Sequence, residues 1–161
     1  MPFDRLLTPD CTHCDLGAAS KKRALELAAE SIAERNTSLD AREVFEALMA
    51  RERLGSTAVG HGVAIPHCRL DGCTAPVAAL VRLATAIDFD APDGEPVDLL
   101  FVLVVPGEAH EEHLQLLASA ARALNDPAYR AALREAGSDL DLFETALYSR
   151  RGDGRADAAN G

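Results

Sequence analysis

The sequence has no long hydrophobic run. A membrane-spanning helix needs about 20 mostly apolar residues, whereas the longest apolar stretch here, residues 97–105, is interrupted by Asp98. The first five residues, Met-Pro-Phe-Asp-Arg, do not begin the apolar segment of a secretory signal peptide. We therefore expect a cytoplasmic protein that is not inserted into a membrane.

Basic residues are scarce. The chain has 16 lysines and arginines against 26 aspartates and glutamates, which gives a formal net charge of −10 and a pI of about 4.9. Nucleic acids and anionic membrane surfaces repel a protein of this charge. The composition therefore favours other proteins as partners and argues against nucleic acid.

Several common catalytic motifs are also missing. The sequence has no Gly-x-Ser-x-Gly elbow, no HExxH and no P-loop, so a hydrolase has little support. Cys11 and Cys14 have the local spacing of zinc ligands, but four residues separate Cys68 from Cys73, where two are usual. A cytosolic chain of this size also needs no disulfides. We expect neither a bound metal nor a cofactor.

The 161 residues are enough to bury the core of one domain. Helical spacing of apolar residues and capping residues predict helices at 21–35, 41–53 and 108–124 and two short ones starting at Asp126 and Ser138. Strands are predicted at 62–66, 76–83 and 97–105, with a short extended piece near Ile87 and Phe89. Because residues 97–105 are almost continuously apolar, their strand should be covered on both faces. We predict an α/β fold, a single-domain sandwich in which a mixed parallel and antiparallel sheet of about five strands is flanked by helices on both faces.

The two ends of the chain have less pattern. Residues 1–18 show little periodicity and are predicted to form an extended segment that leads into the domain. Residues 150–161 are rich in Gly, Asp, Arg and Ala, with too little apolar content to fold, and are predicted to form a disordered tail.

The most informative stretch is residues 51–69. A helix-like run that contains Arg51 is followed by a glycine-punctuated loop and a short apolar strand, which ends just before His67. A neutral imidazole is a nucleophile, and nearby backbone amides and arginines supply positive charge. These features suit reversible phosphorylation of a histidine.

Two ordered blocks of sequence carry a resemblance to a known family. The first comprises Arg51-Glu52, residues 55–57 and residues 62–67, and the second comprises residues 96–106 and 113–118. Together they resemble the enzyme IIA domain of the bacterial phosphoenolpyruvate-dependent phosphotransferase system, of the mannitol and fructose class. The resemblance extends over residues 3–148. Residues 20–26 and 44–48 resemble the nitrogen-regulatory branch more than the sugar-transporting branches.

The resemblance implies roles for five residues. His67 is expected to carry the phosphoryl group on Nε2, and His113 to lie beside it, either donating a hydrogen bond to a phosphoryl oxygen or orienting the ring of His67. Arg51 is expected to pair with phosphoryl oxygens, since a planar guanidinium can bind two at once. Ser56 and Thr57 either offer hydroxyl or backbone N–H groups to the phosphoryl group or cap the loop.

The resemblance also implies a function, with alternatives. The first reading is a phosphocarrier that takes a phosphoryl group from an HPr-like phosphohistidine carrier and regulates partner proteins, such as potassium-transport or sensor proteins, by its phosphorylation state. The second is a sugar-specific enzyme IIA that donates the phosphoryl group to a IIB domain of a fructose- or mannitol-type permease. The third is a binding module that is never phosphorylated. The position of Cys68 adds the hypothesis that oxidation or alkylation of this thiol blocks transfer.

Overall fold

The computed structural model describes residues 3–108 and 110–147, which form one mixed sheet with helices on both sides. The helices are α1 (Lys21–Arg35), α2 (Ala41–Leu54), α3 (His110–Leu124), α4 (Pro127–Glu135) and α5 (residues 139–147), with short 3-10 turns at Phe3–Leu6 and Pro9–Cys11. The strands are β1 (Thr12–Leu16), β2 (Ala58–Gly60), β3 (Val63–Ala64), β4 (His67–Leu70), β5 (Val77–Ile87) and β6 (Val97–Pro106). The described residues include no helix long and apolar enough to cross a membrane.

The sheet has six strands in the order β1-β5-β6-β3-β2, and β4 also pairs with β6. Strand β6 runs antiparallel to β5 and parallel to both β3 and β4, while β1 is parallel to β5 and β2 is antiparallel to β3. The predicted mixed sheet is confirmed. The structure has six strands where about five were predicted, and the short strands β1, β2 and β4 were not recognised in the sequence.

Strand β6 divides the core into two layers. Its side chains alternate between the faces of the sheet, so Leu100 and Val102 pack with helices α1 and α2, while Phe101 and Leu103 pack with α3 to α5. Both faces of this strand are buried. The prediction of helices on both faces is thus confirmed, with α2 and α3 on opposite sides of the central strand.

Local capping explains where the first two helices start. The Ser20 side chain accepts a hydrogen bond from the Arg23 backbone N–H, and Asp40 accepts one from the Glu43 N–H, as expected of N-cap residues. Helix α1 spans the predicted residues, and α2 extends one residue further than predicted, to Leu54. Arg51 therefore lies in the last turn of α2, close to the loop that follows.

Several predicted segments differ in the structure. The N-terminal segment contains β1, in which Thr12 lies opposite Leu80 of β5; a short polar edge strand leaves no alternation to detect. The extended piece predicted near Ile87 is the end of β5. Helix α3 begins at His110 and not at residue 108. The predicted tail at 150–161, together with residue 148 of the predicted domain, lies outside the described residues.

Candidate functional site

His67 is held by the central strand of the sheet. The sequence predicted that one strand ends just before this residue, but the structure has two short strands, with His67 as the first residue of β4 opposite Leu103 of β6. Pro66 interrupts the pairing because proline has no N–H to donate, although its carbonyl still accepts a hydrogen bond from Leu103 N at 2.9 Å. The half-buried imidazole is therefore carried by a well-anchored backbone.

The surroundings of the ring determine its protonation. The Nδ1 atom of His67 lies 2.8 Å from the carbonyl oxygen of Ile65. A carbonyl can only accept a hydrogen bond, so Nδ1 carries the proton and Nε2 keeps its lone pair. The guanidinium of Arg51 points at that lone pair, with Nε donating to Nε2 at 3.3 Å. The structure thus presents the nitrogen that can act as a nucleophile.

The pKa of His67 is lowered from its ordinary value of 6.5, mainly because burial disfavours the charged imidazolium. The hydrogen bond to Ile65 opposes this change, whereas the positive charge of Arg51 reinforces it; the negative charge of Glu52 acts in the raising direction. Arg51 is itself tied to the loop, since Nη1 donates to the Gly55 carbonyl at 2.9 Å. The ring is consequently neutral at neutral pH.

The second predicted histidine lies next to the first. His113 is in the first turn of α3 and is buried. Its ring centroid is 5.2 Å from that of His67, and the two rings are inclined at 74°. The free N–H groups at a helix start favour an anion nearby. The structure therefore brings His67, Arg51 and His113 together, from β4, α2 and α3.

These residues line a cavity of about 530 Å³ that reaches the surface. The other lining residues are Ala47, Ala50, Leu54, Cys68, Arg69 and Leu114. Leu54 is 85% exposed and Leu114 is 67% exposed, so two large apolar side chains flank the opening. A cationic and imidazole-bearing floor with an apolar rim suits a partner that delivers a negatively charged group.

Ser56 and Thr57 lie in the loop after α2, and both hydroxyls are donated to protein acceptors. The Ser56 hydroxyl donates to the Phe89 carbonyl at 2.5 Å. The Thr57 hydroxyl donates to Glu52 Oε2 at 2.6 Å, and the Thr57 backbone N–H donates to Glu52 Oε1 at 2.9 Å. This arrangement favours the loop-capping alternative for both residues.

The sequence reasoning left Glu52 and Lys21 out of the site. The Glu52 carboxylate is buried and contacts Lys21 Nζ at 3.2 Å in addition to Thr57. A glutamate beside Arg51 was visible in the sequence, but a solvated helix-end glutamate has the same local pattern. Its partner Lys21 begins α1 and is remote in the sequence, so no local signal could have identified the pair.

The cysteines contribute little to the chemistry of the cavity. Cys68 is buried beside His67, and burial raises the pKa of its thiol to about 12. A thiol in this state is a poor nucleophile at neutral pH, which argues against the hypothesis that Cys68 is readily oxidised or alkylated. Cys11 and Cys14 belong to opposite faces of the sheet. Within the described part of the chain, no group of three or more His, Cys, Asp or Glu side chains is arranged to hold a metal ion.

Comparison with known proteins identifies the family of the chain. Residues 5–147 match the family model described as "Phosphoenolpyruvate-dependent sugar phosphotransferase system, EIIA 2". The chain is 46% identical over 150 residues to the nitrogen regulatory protein of Pseudomonas aeruginosa, covering 93% of this chain and 97% of the relative. It is 44% identical over 145 residues to the nitrogen regulatory protein of Escherichia coli K12, covering 89% and 88%.

The fold is similar to a solved structure of the same kind. The crystal structure of the nitrogen regulatory protein IIA-Ntr from Neisseria meningitidis superposes with a TM-score of 0.83 at 39% identity, covering 89% of this chain and 98% of the other. Family model, relatives and structure all agree with the resemblance seen in the sequence. The chain therefore belongs to the EIIA 2 family of the phosphoenolpyruvate-dependent phosphotransferase system, and within that family it is of the nitrogen-regulatory type.

Proposed function

We propose that this protein accepts a phosphoryl group on Nε2 of His67 from an HPr-like phosphohistidine carrier and regulates partner proteins by its phosphorylation state. The observation that supports this most directly is the 2.8 Å contact between Nδ1 of His67 and the Ile65 carbonyl oxygen. Ile65 holds the proton on Nδ1, which leaves the Nε2 lone pair beside Arg51 in the cavity. A neutral, oriented imidazole next to a fixed cation is what nucleophilic attack on a phosphoryl group requires.

The transfer exchanges one P–N bond for another. The Nε2 lone pair of His67 attacks the phosphorus, a new P–N bond forms, and the P–N bond to the donor histidine breaks and leaves its electron pair on the donor ring. Arg51 moves its hydrogen bond from Nε2 to the phosphoryl oxygens, where it stabilises their charge. His113 lies close enough to orient the His67 ring or to donate to the same oxygens.

The donor docks over the opening of the cavity. Leu54 and Leu114 supply exposed apolar area on either side of it, and Arg51 and Arg69 line the cavity with positive charge on a chain whose net charge is −10. Excluding water from the interface strengthens the interaction between these cations and the phosphoryl group. Ser56 and Thr57 hold the loop below the docking face in this proposal.

In this proposal, phosphorylation changes which proteins bind to the chain in the cytoplasm. Phosphorylation adds about two negative charges to the site, and the changed surface binds a different set of regulated proteins, such as potassium-transport or sensor proteins. The similarity to nitrogen regulatory proteins at 46% and 44% identity favours this role over sugar transport. A sugar-specific enzyme IIA would have the same chemistry at His67 with a IIB domain as acceptor.

The test is phosphorylation with purified components. The protein is incubated with phosphoenolpyruvate, enzyme I and an HPr-like carrier, and its intact mass is measured. The wild type should gain one acid-labile phosphoryl group, and His67→Ala should gain none. His61→Asn is the matched control, because His61 is exposed and has a positive φ that asparagine tolerates. Equal phosphorylation of His67→Ala and wild type would refute the proposal, and adding a IIB domain as acceptor tests the sugar-specific alternative.

A further inference from the structure

Glu52 is a buried carboxylate at the end of α2 that does not reach the reacting nitrogen. Its side chain is only 2% exposed. Burying a charge costs free energy unless it is paired and hydrogen-bonded, and Glu52 meets this requirement through Lys21 and both donors of Thr57. The Glu52 carboxylate is one residue from Arg51, and its burial suggests a role other than that of a solvated helix-end residue.

Lys21 occupies an unfavourable place for a cation. It is the first residue of α1, where the helix dipole is positive. The ammonium group contacts Glu52 and Asp90 at 3.2 Å each and lies 4.7 Å from the centre of the Phe89 ring. Because Asp90 is largely exposed, the buried partner Glu52 is the stronger contributor. The pair thus connects the start of α1 to the end of α2.

A continuous set of hydrogen bonds leads from this pair to the ring of His67. Glu52 binds the N–H and hydroxyl of Thr57, and the Thr57 carbonyl accepts a hydrogen bond from Ile65 N at 3.0 Å. The Ile65 carbonyl in turn accepts the Nδ1 proton of His67 at 2.8 Å. The position of the Ile65 carbonyl therefore depends on Thr57, which depends on Glu52.

From this connection we propose that the Lys21–Glu52 pair is a positioning device, which acts through Thr57 and Ile65 to keep the His67 proton on Nδ1 and so leave Nε2 free to take the phosphoryl group. This inference rests on the proposed function for its kinetic consequence. Its structural consequence, the location of the proton on the ring, does not depend on phosphorylation. Glu52 touches neither the phosphoryl group nor Nε2 and is a positioning residue.

The test compares two glutamates of the same helix. Glu52→Gln keeps the shape of the side chain but loses the charge, and its amide nitrogen cannot accept the Thr57 hydroxyl as a carboxylate oxygen does. Glu46→Gln is the matched control, since Glu46 is also on α2 and also pairs with an arginine, Arg42, but is exposed to solvent. Each protein is measured by ¹⁵N NMR of the histidine rings, which distinguishes a protonated from an unprotonated nitrogen, and by single-turnover phosphorylation.

We expect Glu52→Gln to shift part of the His67 population to the tautomer with the proton on Nε2. The maximal rate of phosphoryl transfer should fall about tenfold, because a small misplacement of a reacting group is costly, while the half-saturating donor concentration changes by less than about twofold. Glu46→Gln should match the wild type in both measurements. A general loss of structure would weaken donor binding as well, so a change in the transfer rate alone points to the positioning role.

A second pair of variants keeps the test decisive if Glu52→Gln does not fold. Thr57→Val removes the hydroxyl but keeps the N–H and the side-chain volume, whereas Thr57→Ser keeps both donors. The valine variant should show the tautomer shift and the slower transfer, and the serine variant should restore the wild-type values.

Unchanged ring nitrogen signals in Glu52→Gln and Thr57→Val overturn the positioning role, and so does a slower transfer without a tautomer shift. Either result is compatible with His67 as the phosphoacceptor, provided that His67→Ala fails to accept a phosphoryl group. Another outcome is that the variants show the tautomer shift although the wild type is never phosphorylated. The shift then supports the positioning role, and the lack of phosphorylation rejects the proposed function.

Discussion

Replacing Arg51 with glutamine should raise the pKa of His67 towards its ordinary value of 6.5. The variant removes a positive charge whose Nε lies 3.3 Å from His67 Nε2 and which, together with burial, lowers the pKa of the ring. Burial, the larger cause, is left in place. The expected change is therefore a rise without a complete return to the pKa of an exposed histidine.

The distance between the two groups gives the magnitude. Two unit charges 3.3 Å apart repel by about 5 kcal/mol at an effective dielectric constant of about 20 and by about 1.3 kcal/mol in water. Both side chains are half-buried, so the repulsion lies between these two figures. Removing this repulsion should therefore raise the pKa of His67 in Arg51→Gln by enough to be resolved in a titration.

The assay is a pH titration of the His67 ring followed by NMR, with Arg53→Gln as the control. Arg53 lies two residues further along the last turn of α2 and is exposed, so its removal should leave the His67 titration unchanged. An unchanged or lowered pKa in Arg51→Gln, or an equal rise in the two variants, would show that the Arg51 charge does not act on the ring.

The pKa of His67 also determines how activity depends on pH. Only the neutral ring has a lone pair on Nε2, so phosphoryl acceptance should decline when the pH falls through the pKa of His67, which lies below 6.5 in the wild type. The decline should begin at higher pH in Arg51→Gln, and at neutral pH the variant should still be about 100-fold slower, because it lacks the cation that stabilises the transferring group. The unfolded chain binds this proton at a higher pH than the folded one, so His67 also contributes stability that is lost as the pH falls through its folded pKa.

Two further outcomes follow from burial. Leu25→Ala should lower the free energy of unfolding by about 2–5 kcal/mol, because Leu25 is fully buried. Leu54→Ala should change the free energy of unfolding by less than about 0.5 kcal/mol, since Leu54 is 85% exposed. Urea titration of both variants checks this, and equal losses of stability would contradict the packing argument. Cys68 should react slowly with a thiol reagent at neutral pH in the native protein and rapidly in urea, because burial raises the pKa of this thiol to about 12; fast labelling of the folded protein would contradict it.

Much of the architecture could be predicted because it depends on neighbours in the chain. Helix α1 was predicted with its observed bounds, since Ser20 caps it and its apolar residues recur at helical spacing. Strand β6 was recognised because a continuous apolar run has few alternatives to a strand covered on both faces. The stretch around His67 was likewise recognised from its own residues and spacing.

Contacts between distant residues determined the rest. Strands β1 and β4 are short, and they exist because β5 and β6 offer hydrogen-bonding partners that no local pattern reveals. The tautomer of His67 depends on where the Ile65 carbonyl lies, and the burial of Glu52 depends on Lys21 arriving from another helix. Residue type and spacing could therefore indicate an imidazole suited to phosphorylation, whereas the proton on its ring, and with it the nitrogen that reacts, is set by hydrogen bonds that form only when the chain has folded.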